Sequence, residues 1–246
     1  MIDTHCHLEE YDNLNEVISK LDKVIVSGVD RKSNEFVLDV VNKYDNLYGT
    51  TGIHPSEVDV MNEDDLIHLE NNLKNDKIVG VGEVGLDYHY GKESKDKQIE
   101  IFKKQIELAK KYNKTLVIHS RDAIEDTYNV LDESNIGDLK VVLHCYSGSK
   151  EMFEKFIKFN MKFGISGVIT FKNADKIKEI VKLYDLKYFL LETDSPYLTP
   201  EPFRGQKNEP YNIIYNAKKI SEIKGISLDE VFSITSSNAH SQFDLK

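Results

Sequence analysis

A chain of 246 residues, 40% hydrophobic and 30% charged, is long enough to bury a sizeable core and too apolar to stay disordered. Its net charge of −10 excludes a broad basic face for duplex nucleic acid, though not a local cationic site, where bound divalent ions would offset the acidity. Two cysteines, Cys6 and Cys145, are too few for a disulfide framework, no apolar run nears the roughly 20 residues of a membrane span, and neither a basic nor an apolar leader follows Met1. A cytoplasmic protein without a membrane partner is expected.

Short apolar runs alternate with longer amphipathic ones along the chain. The short runs are Ile2–His7, Lys23–Ser27, Leu47–Gly52, Lys77–Glu83, Thr115–His119, Lys140–His144, Met161–Ser166 and Tyr188–Asp194. They are rich in Val, Ile, Leu, Phe and Tyr and lack apolar/polar alternation, as strands buried on both faces of a parallel sheet do. Between them lie helical patterns: Leu14, Val17, Ile18 and Leu21; then Ile99, Phe102, Ile106 and Ala109; then Ile213, Ala217 and Ile220. Eight strands each followed by a helix predict a (β/α)8 TIM barrel, α/β in class, spanning 1–246 as one domain. The rival is an open doubly wound sheet, and the first strand lacks the Gly-x-Gly-x-x-Gly of its nucleotide-binding version.

The ends of these runs carry the chemistry. The first run ends in His5-Cys6-His7, and residues two apart on a strand face one side, so both imidazoles can meet one ion. The others end at Glu83, His119, His144 and Asp194. The C-terminal strand ends of a barrel form its mouth, so four histidines and two carboxylates are expected to converge there. Singly, each has a plainer reading as a hydrogen-bonded core histidine, a turn residue or a helix cap. Jointly, they repeat one placement on five strands, and such a buried cluster needs a cation to neutralise it.

The expected cofactors are two divalent ions. His5, His7 and Asp194 can hold one, His119 and His144 the second, and Glu83 can bridge them. Mixed N/O ligation suits Zn, Mn, Fe or Ni, or Mg and Mn if carboxylates dominate. Asp194 and Glu83 are the expected catalytic carboxylates, with Asp194 as the general base toward water. Arg121 and Arg204 offer planar forks for phosphate oxygens, or else ordinary ion pairs with Asp122 and Glu201. His54, in Gly52-Ile53-His54-Pro55, is either a rim contact to substrate or a turn residue before proline. Tyr88 and Tyr146 are base-stacking candidates or buried aromatics. His68 and His240 read as surface residues, His89 stays open, and Cys6 and Cys145 read as packing residues.

These residues resemble the TatD-type metal-dependent deoxyribonucleases of the amidohydrolase-like barrel superfamily. The resemblance spans the chain through Asp3-Thr4-His5-Cys6-His7, Gly52-Ile53-His54-Pro55, Gly82-Glu83-Val84-Gly85-Leu86-Asp87-Tyr88, His119-Ser120-Arg121, His144-Cys145-Tyr146-Ser147-Gly148-Ser149 and Glu192-Thr193-Asp194-Ser195-Pro196-Tyr197-Leu198. Arg204-Gly205 and Asn208-Glu209-Pro210 extend it. It implies a TIM barrel, a divalent-metal site on the six residues named above, and 3′→5′ exonuclease action on DNA in repair or turnover. The expected partner is a single-stranded DNA substrate, and the expected state a monomer.

The chain departs from the family pattern at Ser56, where a second histidine is frequent, at Lys207, where arginine is, and at Gln242, where leucine is favoured. None of these is a proposed ligand. Two other functions compete: metal-dependent hydrolysis of a non-phosphate bond, such as an aminoacyl-tRNA ester, and a non-catalytic binding barrel. Some relatives are thought to deacylate misacylated tRNA, and fold alone does not fix the scissile bond.

Overall fold

A computed structural model describes residues 1–246. It forms a (β/α)8 barrel of eight strands in the order β1 to β8, as expected. The strands are β1 Ile2–Cys6, β2 Lys23–Ser27, β3 Leu47–Thr51, β4 Ile78–Asp87, β5 Thr115–Arg121, β6 Val141–Leu143, β7 Met161–Ile165 and β8 Phe189–Leu191. The helices are α1 Leu14–Ile18, α2 Arg31–Lys43, α3 Glu63–Asn72, α4 Lys95–Tyr112, α5 Ile124–Glu133, α6 Lys150–Phe156, α7 Asp175–Leu183, α8 Ile213–Lys224 and α9 Leu228–Phe243. No helix is long and apolar enough to cross a membrane.

Two strands run further than the sequence indicates. β4 continues past Glu83 to Asp87 and β5 past His119 to Arg121, because the two pair in parallel along that extension, from Val84 with Ile118 to Asp87 with Arg121. Gly85 makes the approach possible: at φ +133°, a Cβ there would lie 2.1 Å from the His119 carbonyl oxygen. β6 and β8 stop earlier than expected, so His144 and Asp194 lie just past strand ends. Cys145 and Asp194 both take left-handed backbone angles, at φ 44° and 56°, which no strand can continue.

The chain comprises two compact units. One contains Met1–Val26, His144–Ile157 and Lys162–Lys246; the other contains Ser27–Leu143 and Lys158–Met161. In the first, Phe153 packs on Phe163 and Phe189 at ring separations of 4.3 and 5.7 Å, and Tyr146 on Phe163 at 5.0 Å. β8 and β1 meet here: the Asp194 N–H donates to the His5 carbonyl (2.9 Å), and the Thr4 hydroxyl to the Leu191 carbonyl (2.9 Å).

In the second unit, α4 lays Gln98, Ile101, Phe102, Gln105, Ile106 and Ala109 against the barrel. Ile101 is buried and Ile99 only partly so. Burying a side chain such as Phe102 stabilises the fold by roughly 1.5–3 kcal/mol. The two glutamines on this apolar face have a separate role, because each grips backbone at or next to a site residue.

Candidate metal centre

In the first unit, β1 carries His5, His7 follows its last residue, and the turn after β8 returns Asp194 to them. The Nε2 atoms of both histidines lie 3.7 Å from Asp194 Oδ1. The ring of His144 stacks on His5, with centroids 4.1 Å apart and planes 14° apart. A second backbone bond, from the His7 N–H to the Ser195 carbonyl (2.7 Å), ties the two segments together. Burial works against charge on Asp194, but the hydrogen bond with His7 and the nearby rings of His144 and His5 outweigh it, holding this carboxyl below its usual range. It is therefore an anionic candidate ligand at neutral pH.

Two further carboxylates shape this cluster. Asp3, fully buried, accepts the Thr193 N–H (3.0 Å), the Thr193 hydroxyl (2.6 Å) and the His5 N–H (3.3 Å). Glu192, also fully buried, accepts the Cys145 N–H at 2.5 Å, and the same oxygen lies 3.7 Å from His144 Nδ1. Gly164 leaves room for it: a Cβ there would sit 2.0 Å from Glu192 Oε2. Asn216 donates to the Glu192 carbonyl (2.8 Å), which anchors the strand end to α8.

In the second unit, Glu83 is 4% exposed and its Oε1 lies 2.8 Å from His119 Nδ1 and 3.6 Å from His54 Nε2. The other His119 nitrogen, Nε2, is 3.0 Å from Asp87 Oδ2. A carboxylate on the far side of a ligating histidine fixes its orientation and tautomer. Gln98 on α4 accepts the Asp87 N–H (2.8 Å) and donates to the Asp87 carbonyl (3.0 Å). Gln105, on the same helix face, accepts the Ile53 N–H (2.8 Å) and donates to the Ile53 carbonyl (3.0 Å), just before His54.

Both units thus present a ligand-competent triad whose donor atoms lie within 4.8 Å of one another: His5, His7 and Asp194 in the first, His54, Glu83 and His119 in the second. Tetrahedral donors about 2.1 Å from one ion are themselves about 3.4 Å apart, so the 3.7 Å separations around Asp194 fit a divalent ion. Their mixed nitrogen and oxygen chemistry fits it too.

A family profile described as TatD related DNase matches residues 2–244. The chain belongs to this family. The metal-dependent hydrolase YabD of Bacillus subtilis is 41% identical over 251 residues, covering 99% of this chain and 98% of the relative. The metal-dependent hydrolase YcfH of Escherichia coli is 32% identical over 256 residues, covering 97% and 93%. Among solved structures, the Escherichia coli TatD homologue YJJV superposes with a TM-score of 0.93 at 27% identity, covering 100% of this chain and 98% of the other. The protein is a metal-dependent hydrolase of the TatD family.

The remaining sequence candidates of this TatD member fall into place. His54, expected at the rim, sits in the Glu83 triad. Arg121 lies over the Tyr90 ring (4.8 Å) and Arg204 over Phe171 (3.8 Å), so aromatic faces hold both guanidinium groups. Tyr146 is buried and donates its hydroxyl to the Ser149 carbonyl, while Tyr88 donates to Asp126, so both serve packing. His89 faces Asp122 at 3.2 Å, His68 faces Glu35 at 3.7 Å, and His240 reaches the Leu245 carbonyl. Burial pushes the Cys145 thiol up to about 12, and the Cys6 thiol well above its usual range, so neither is a nucleophile at neutral pH.

Asp3, Asp87, Glu192, Gln98 and Gln105 received no role from the sequence. Asp87 was within reach of strand parity, since it lies four residues past Glu83 on one strand and so on the same face. Its titration can be tested. Burial raises the Asp87 carboxyl, but the His119 hydrogen bond and charge and the Tyr90 and His89 N–H groups lower it further, to about 2. A depressed carboxyl stabilises the fold above the unfolded value near 3.9, and that contribution disappears as pH falls through the folded value. The metal-free Asp87→Asn variant is expected to be less stable than wild type by on the order of 1 kcal/mol near pH 6, allowing for solvent screening. The gap should close between about pH 4 and 2. Urea melts across this range check it, and a gap constant with pH would remove the His119 ion pair as its source.

Proposed function

We propose that this protein hydrolyses phosphodiester bonds of single-stranded DNA, working from the 3′ end, with two divalent ions. The pair of partly buried His/carboxylate triads, one in each unit, carries the reading: each provides three N/O donors, the number with which protein side chains hold a catalytic ion while leaving a position open. The family description supports DNA as substrate, and the 3′→5′ polarity rests on the family resemblance of the motifs. When bound, the ions supply Lewis acidity toward a phosphoryl oxygen and an acidified water.

The chain's own groups do the rest. His5, His7 and Asp194 would hold the first ion together with His144, which was expected at the second but stacks on His5, and Glu83 and His119 would hold the second. His54, beside Glu83, is assigned to the second ion or to the leaving oxygen. Asp194, kept ionised, takes the proton from the attacking water. Asp87 and Glu192 hold His119 and His144 in place. Arg121 and Arg204 are assigned to substrate phosphates.

The test sets labelled single-stranded DNA beside misacylated tRNA, with Mg, Mn or Zn added to metal-free enzyme. Digestion of the DNA into mononucleotides from the 3′ end is expected, and chelator should stop it. With a net charge of −10, DNA affinity should also fall on chelation, because ions rather than basic side chains carry it. Turnover of the aminoacyl ester with no DNA cleavage under any metal would replace the phosphodiester by a carboxylic ester.

A further inference from the structure

Tyr197 stands out by its exposure. Most large apolar side chains of this chain are at least partly covered; Val60, Ile67, Tyr90, Leu183 and Tyr197 are the exposed ones, and Tyr197 retains 58% of its surface. Of these, only Tyr197 lies beside a candidate ligand: its ring is 6.1 Å from the ring of His7, at 64° between planes.

The turn that carries it is fixed. The Tyr197 N–H donates to the Asp194 carbonyl (2.9 Å), and the Tyr197 carbonyl accepts from Asn208 Nδ2 (2.7 Å). Asn208 is fully buried and bonds the Thr193 carbonyl as well (3.1 Å). Leu198, the next residue, is held at φ 51°, a left-handed angle that a leucine adopts only when its surroundings impose it. A rigid backbone thus presents a largely exposed aromatic ring next to a candidate ligand.

We propose that Tyr197 is a stacking platform for a nucleobase at the 3′ end of the bound strand, an inference that rests on the DNA reading above. Aromatic rings bind single strands through base stacking, which tolerates any sequence because every base has a π-face. Placed against His7, the ring would seat a base within a nucleotide of the phosphate at the ions. This supplies the affinity that an acidic surface lacks, and it selects unpaired ends, since a base in a duplex has no free face to give.

The experiment compares wild type, Tyr197→Leu and Tyr197→Phe on two labelled oligodeoxythymidylates. One is intact and the other carries abasic tetrahydrofuran units at its last two 3′ positions. On the intact strand, Tyr197→Leu should raise KM about tenfold with kcat within about threefold, and Tyr197→Phe should match wild type. On the abasic strand, wild type and Tyr197→Leu should coincide. Equal KM for wild type and Tyr197→Leu on the intact strand would overturn the stacking role while leaving the nuclease intact. So would a loss of equal size on both strands, which marks a structural effect. A wild-type enzyme that digests neither strand overturns the DNA reading itself, and the stacking role with it.

Discussion

The His5→Ala, His7→Ala double variant is expected to bind at least one divalent ion fewer per chain than wild type and to lose roughly 10³-fold or more in kcat. Both imidazoles face Asp194 Oδ1 at 3.7 Å, so their removal leaves Asp194 as the one remaining member of that triad. The backbone ties across this region, from Asp194 to the His5 carbonyl and from His7 to the Ser195 carbonyl, do not involve the rings. The metal-free variant should therefore keep the fold. Elemental analysis after loading, with circular dichroism on the metal-free forms, separates loss of ligands from loss of structure. An unchanged metal content in a folded double variant would remove His5 and His7 from the centre.

The second large effect is expected at Asp3, which touches no candidate ion. Its carboxyl collects two donors from Thr193 on the β8 side and the His5 N–H on its own strand. Replacing Asp3 by alanine leaves buried donors unmatched, at about 1–3 kcal/mol each, so a loss of about 3 kcal/mol in unfolding free energy is expected. Weakened metal retention should accompany it, because the same contacts align His5 with Asp194.

Burial raises the Asp3 carboxyl well above its usual range, against the opposing hydrogen bonds from Thr193 and His5. A raised carboxyl contributes stability fully below the unfolded value near 3.9 and loses it as pH climbs through the folded value. Asp3→Asn, which is neutral at every pH, should therefore gain on wild type as pH rises from about 4. Denaturant melts of all three forms decide the matter. An Asp3→Ala protein as stable as wild type would show that the contacts between β1 and the turn after β8 hold without this carboxylate.

The fold was legible because eight unalternating apolar runs, separated by amphipathic segments, permit few architectures. The clustering of His5, His7 and Asp194, and of Glu83 with His119, was legible because these residues recur at the ends of their runs. The supporting residues were not. Gln98 and Gln105 look like ordinary surface residues of a Lys/Glu-rich helix until α4 is seen to bury them. Asp3 and Glu192 bond to segments distant in sequence, and nothing local marks them. His54 read as a rim contact to substrate or a turn residue before proline, and its ring serves the turn as well as the triad: one nitrogen accepts the Ser56 N–H while the other faces Glu83. The strand ends at His144 and Asp194 were placed late because a left-handed residue is invisible when it is not glycine.

The two glutamines of α4 have a consequence for how this half of the site can change over time. Gln98 and Gln105 are seven residues apart, about 10.5 Å along one helix at 1.5 Å per residue. Each clasps the backbone beside a chemical group, Ile53 next to His54 and Asp87 itself. The helix thus works as a calliper whose two jaws keep their spacing through its own backbone bonds. The exposed positions of the connecting segments, such as Val60 and Ile67, can then drift in composition without detuning His54 or His119. Novelty in substrate choice can accumulate in those connecting segments while the distances that matter to the chemistry stay set by one rigid rod.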